Sequence, residues 1–109
     1  MLVIKKSLFA VGRMQDERRQ KKALKRLLHR KFSPFLAFGI FLPHNDDDLF
    51  EIISFNELRK DWYHDTDLKF IMIGIAETSE DAIRLVTTLY LAKEKVRREE
   101  KLIDIPPDT

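Results

Sequence analysis

Two stretches of this chain carry apolar side chains at nearly every consecutive position: Phe35-Leu36-Ala37-Phe38-Gly39-Ile40-Phe41-Leu42, and Phe70-Ile71-Met72-Ile73-Gly74-Ile75-Ala76 directly after Lys69. A strand sends successive side chains to opposite faces, so a strand apolar at both parities must be covered on both sides. A strand with one wet face would alternate instead. The longer run ends at Pro43 and is far shorter than the roughly 20 residues a membrane-spanning helix needs. These runs are strands inside a layered domain, covered by helices or by a second copy of the chain.

The rest of the chain supplies those layers. Leu2–Ile4 and then Leu8–Val11 read as a first strand or an extended entry segment, ended by Gly12, although positions 4, 8 and 11 would also suit a helix. Residues 14–31 lack Gly and Pro and are rich in good helix formers, with Leu24, Leu27, Leu28 and Phe32 at helical spacing and Met14 extending the stripe. Asp16 and Glu17 suit the positive end of that helix, and Ser33-Pro34 stops it. Leu49–Ile53 is a return strand. Ser54 and Glu57 have capping-box spacing, which predicts a short helix running to about Tyr63. Trp62 is expected to seal that helix onto the core. Thr78 and Ser79 offer N-cap hydroxyls to a last helix over about Glu80–Lys101. Its expected stripe is Ala82, Leu85, Val86, Leu89, Ala92 and Val96, widened by Ile83, Tyr90 and Leu91.

The expected fold class is α+β, with a mixed or antiparallel sheet of three to four strands, a basic N-terminal helix and a long C-terminal helix. The length of 109 residues predicts one domain over 1–102, with 103–109 as a flexible C-terminal tail. The order β-α-β-β-α-β-α resembles the ferredoxin-like order in its first six elements. That order places the first and third strands centrally, yet here the second and fourth are the most apolar. Either the sheet order differs, or the last helix and a second subunit cover them.

Charge is segregated along the chain. Residues 1–33 hold eleven Lys/Arg against two Asp/Glu, and residues 44–81 hold three against eleven, so a net of +9 faces a net of −8. The overall +2 conceals both blocks. Cysteine is absent, which excludes disulfides and thiolate chemistry and accords with an expected cytoplasmic setting. No secretory signal is read at the N-terminus.

The basic helix is the first candidate site. Arg18, Arg19, Lys22, Lys25 and Arg26 would neutralise phosphates and release counterions on binding nucleic acid. The competing reading is a solvated face balanced by the acidic segment. His44 with Asp46, Asp47 and Asp48, and His64 with Asp65 and Asp67, could hold a divalent metal if their loops met, but the spacing matches no ligand motif. Hydrated turns are the favoured reading, and no metal site or cofactor is assigned. The start of the last helix is rejected as a nucleotide site, because Glu77, Glu80 and Asp81 occupy its positive end. No Ser, His and acid pair by spacing, so no catalytic residues, enzymatic activity or small-molecule substrate are inferred.

The leading expectation is a non-enzymatic interaction module that self-associates as a C2 homodimer. The alternative is an accessory or regulatory protein that binds nucleic acid through the 14–31 helix. A membrane surface is not expected as a partner, since little bulky apolar area flanks the basic face.

Overall fold

A computed structural model describes residues 1–32, 37–45 and 49–103, with side chains described outside 95–103. The acidic run Asp46–Asp48, the Ser33–Pro34 stop signal, Phe35, Leu36 and residues 104–109 of the expected tail lie outside the described residues.

The elements in order are β1 (Leu2–Ala10), a 3-10 turn (Gly12–Gln15), α1 (Glu17–Leu28), β2 (Phe38–Phe41), β3 (Glu51–Ser54), α2 (Phe55–Leu58), α3 (Asp61–Asp65), β4 (Phe70–Ala76) and α4 (Ser79–Ile103). The protein is α+β, and its four strands form one mixed sheet in the order β1-β4-β2-β3. β1 runs parallel to β4, while β2 is antiparallel to both β4 and β3. The ferredoxin-like order is therefore not adopted. The second and fourth strands are central, because only central strands can hide apolar residues at both parities.

Successive β2 residues show the two faces. Phe41 packs with Met14, Leu27, Phe55, Leu58, Phe70, Met72 and Ile75 under α1, α2 and α3. Ile40 packs with Ala76, Ala82 and Leu85 under α4. Among the described residues the result is three layers, with α1, α2 and α3 on one face of the sheet and α4 on the other. Gly74 lets α4 approach, since a Cβ there would lie 3.1 Å from Leu85 Cδ2 and 3.2 Å from Ile40 Cβ. Sheet edges are managed on β1, where the pairing with β4 jumps between Ile4 and Phe9 and leaves Lys5, Lys6 and Ser7 bulged out and exposed. No helix among the described residues is long and apolar enough to cross a membrane.

The caps expected at Ser54 and Thr78 form, and Asp16, expected only to suit the positive end of α1, caps it as well. Asp16 accepts from Arg18 N at 2.9 Å, Ser54 Oγ from Glu57 N at 3.2 Å, and Thr78 Oγ1 from Asp81 N at 3.0 Å. The basic helix is shorter than its 14–31 span. It closes in a Schellman motif, with Lys31 N donating to Arg26 O at 3.0 Å and Arg30 N to Leu27 O at 2.9 Å. Arg30 takes the left-handed conformation, φ 55°, that glycine usually fills there. This turn swings Phe32 off the stripe. Phe32 and Leu28 are exposed, and the Arg59 guanidinium sits 5.1 Å above the Phe32 ring. The helix expected after Ser54 splits into two short turns, α2 and α3. Tyr63 is half-buried against the core, whereas Trp62 is 55% exposed and meets the core edge-on at Phe70. In α4, Ala82 and Leu85 are buried, whereas Ile83, Tyr90, Leu91 and Ala92 are exposed.

Candidate functional site

α1 lies on the sheet through Leu27, which is buried, and through the half-buried Ala23 and Leu24. Its start is tied to the 3-10 turn by Gln20 Nε2, which donates to Met14 O at 2.7 Å. With that stripe inward, the remaining positions divide into two rows. Arg18, Lys21, Lys22 and Lys25 point outward, and all four are exposed. Arg19, Lys22 and Arg26, at i, i+3 and i+7, line one flank, with Lys22 shared between the rows.

That flank borders a cavity of about 310 Å³. Its floor is apolar, made by Met14, Ala23, Leu27, Ala37 and Phe55. Its rim carries Arg19, Lys22, Arg26 and Lys31, against one carboxylate, Glu77. The cavity lies at the end of the sheet where β3 and β4 finish and β2 begins. Phe55 follows β3, Glu77 follows β4, and Phe55 N donates to Ala37 O at 2.9 Å across that end. The carboxyl ends of parallel strands are where open sheets most often receive ligands.

Among the described residues, intramolecular neutralisation of the basic helix is confined to the neighbourhood of its two ends. Arg19 Nη1 reaches Glu77 Oε1 at 3.4 Å. Arg30 pairs with Asp61 and lies 3.9 Å from Asp65. Arg13, Arg18, Lys21, Lys22, Lys25, Arg26 and Lys31 make no ion pair among the described residues. Other acids of the middle segment are engaged elsewhere. Glu57 Oε2 lies 2.8 Å from Lys60 Nζ, and that hydrogen bond holds the Glu57 carboxyl below its ordinary value and the Lys60 ammonium above it. Burial raises the Tyr63 hydroxyl, which donates to Glu57 Oε1 at 3.3 Å.

His44 and His64 each contact a backbone carbonyl. His44 Nε2 lies 3.1 Å from Lys69 O, and His64 Nε2 lies 2.9 Å from Leu58 O. Among the described residues no group of three or more potential ligands is placed to hold a metal. His44, Trp62 and Tyr63 instead ring Phe70, with centroids 5.1, 5.4 and 5.2 Å away.

Of the five candidate residues taken from the sequence, the fold brings Arg19, Lys22 and Arg26 onto the cavity and leaves Arg18 and Lys25 on the outer row. Sequence reading missed Ala37, Phe55 and Glu77 as partners of that helix. They come from three other segments, and no local signal joins them to α1. Comparison with protein-family models, curated proteins and solved structures gives no match.

Proposed function

We propose that this protein is a non-catalytic binding module that takes nucleic acid on α1. The observation that carries the reading is the row of exposed cations Arg18, Lys21, Lys22 and Lys25, continued by Arg26, with no ion pair among the described residues. Unpaired cations at helical spacing neutralise successive phosphates and gain affinity by counterion release. The acidic segment engages this region through Glu77, Asp61 and Asp65, all at exposed or partly exposed pairs that contribute little. A cytoplasmic location accords with a cysteine-free chain and belongs to the same proposal. Fluorescence anisotropy with a labelled oligonucleotide tests it. Affinity should fall steeply as salt rises, and absence of binding at low salt ends the reading.

A second reading, self-association, is favoured by a separate observation. One helix covers the second sheet face, and large apolar side chains stay exposed there and beside it: Phe9 on β1, Ile52 on β3, and Ile83, Tyr90 and Leu91 on α4. A C2 dimer through α4 would cover part of this area. Light scattering at micromolar protein should then give twice the monomer mass of 12.9 kDa, and a clean monomer removes this reading.

A further inference from the structure

We infer that the cavity beside α1 takes one unstacked base of a single-stranded nucleic acid, so that the chain prefers single strands to duplexes. This rests on the nucleic-acid reading of α1 and adds the kind of strand it binds.

The cavity combines two chemistries that a solvated charge patch lacks. Met14, Leu27, Ala37 and Phe55 are buried apolar side chains that form its floor. Such a floor has nothing to offer a phosphate. It suits the face of a flat, weakly polar ring. At about 310 Å³ the space stands at the small end of ligand sites, which run from about 300 to 1,000 Å³. It is ample for one ring system.

The rim fixes the sign of whatever is attached to that ring. Arg19, Lys22, Arg26 and Lys31 outnumber Glu77 by four to one. The occupant therefore pairs an apolar planar group with negative charge. The outer row continues from the rim without a break, through the shared Lys22 to Arg18 and Lys25. A strand with a base in the cavity would carry its neighbouring phosphates along this row. Bases in a duplex are stacked and paired, so a duplex can meet the cations but cannot fill the floor. Single-strand binders commonly join a cationic track to an apolar or aromatic surface for bases.

The test uses the whole chain and one labelled strand of about 12 nucleotides, alone or annealed to its complement, in fluorescence anisotropy titrations at fixed salt. The single strand should bind about 5- to 150-fold more tightly than the duplex, the range that one seated base supplies. Ala23→Phe, which fills the cavity from the α1 wall, should abolish that difference and leave duplex affinity unchanged. If circular dichroism shows Ala23→Phe to be unfolded, Ala37→Leu fills the same space from the β2 side. Equal wild-type affinity for both forms overturns the inference while leaving the phosphate reading of α1 intact. A cavity-filled, folded variant that keeps the single-strand preference also overturns it. A mononucleotide that competes as well as the strand overturns it in favour of a small-molecule site. No binding of either form ends both readings.

Discussion

Replacing Arg18, Lys22, Lys25 and Arg26 together with Gln gives the sharpest test of whether α1 is a phosphate-binding surface. Five α1 cations make no ion pair among the described residues: these four and Lys21. On a single strand each neutralised phosphate contributes about −0.7 to the slope of log K against log salt, so five predict a slope of about −3.5. Between about 50 and 200 mM KCl the wild-type affinity should then fall about a hundredfold. Of the five the quadruple variant keeps only Lys21, so the contribution of this row to the slope should fall to about −0.7 and to a loss of less than about threefold over the same range. Stability should barely move. Gln is as good a helix former as Lys or Arg, and exposed substitutions stay within about 0.5 kcal/mol each. Anisotropy titrations at four salt concentrations, with a urea melt of each protein, measure both quantities. A folded variant that keeps the wild-type slope would place the phosphates elsewhere on the molecule. A wild-type slope near zero would refute the counterion argument itself.

Three further outcomes test the fold that presents this helix. Gly74→Ala adds a methyl 3.1 Å from Leu85 Cδ2 and 3.2 Å from Ile40 Cβ, and the strand-bound Ile40 cannot step aside. Overpacking of about 1–3 kcal/mol should exceed the roughly 0.4–1 kcal/mol gained from a stiffer unfolded chain. Urea melts should therefore show a net loss, partly restored by Leu85→Val, and a more stable Gly74→Ala would mean that α4 is not seated over β4. Thr78→Ala removes the acceptor for Asp81 N and should cost about 0.5–2 kcal/mol in the same assay. The Glu57 carboxyl lies below its ordinary value of 4.5 in the folded chain, chiefly through the Lys60 hydrogen bond, so its stabilising contribution exists above that value and vanishes as pH falls through the lowered one. The stability difference between wild type and Glu57→Gln should accordingly close on acidification, and a difference that widens at low pH would contradict the assignment.

The apolar runs and the caps were legible in the sequence because both are local. Phe38–Phe41 and Phe70–Ala76 show apolar residues at both parities, and they are the two central strands. Ser54 and Thr78 cap helices because each lies three residues before the amide it satisfies. The same apolar pattern argued against a ferredoxin-like order, but it could not supply the order adopted. The parallel pairing of β1 with β4 joins residues some 65 positions apart and is decided by the path of the crossovers. The end of α1 was missed because Arg30 occupies a left-handed position that composition marks only when glycine fills it. Trp62 and Tyr63 are adjacent and chemically alike, so only the orientation of α3 decides which one is half-buried and which exposed. The cavity was invisible for a similar reason. Its cations lie close together in sequence, but its floor is assembled from the 3-10 turn, α1, the residue before β2 and the first residue of α2.

Charge segregation in the sequence becomes a particular arrangement in space. A chain with a basic block of +9 and an acidic block of −8 could fold one onto the other and cancel both. Here the acids touch the basic segment only near its two ends among the described residues, Glu77 at Arg19 and Asp61 with Asp65 at Arg30. Such exposed pairs are worth about 0–1 kcal/mol each, enough to orient a helix but not to neutralise it. Between them, Lys22, Lys25 and Arg26 stand on a helix whose inner face is held by Leu27 and whose flank opens on an apolar floor. Their mutual repulsion is a standing cost to the free protein. An anion lying along the row would relieve it, so the same charges that gain nothing within the fold gain most when a phosphate chain arrives.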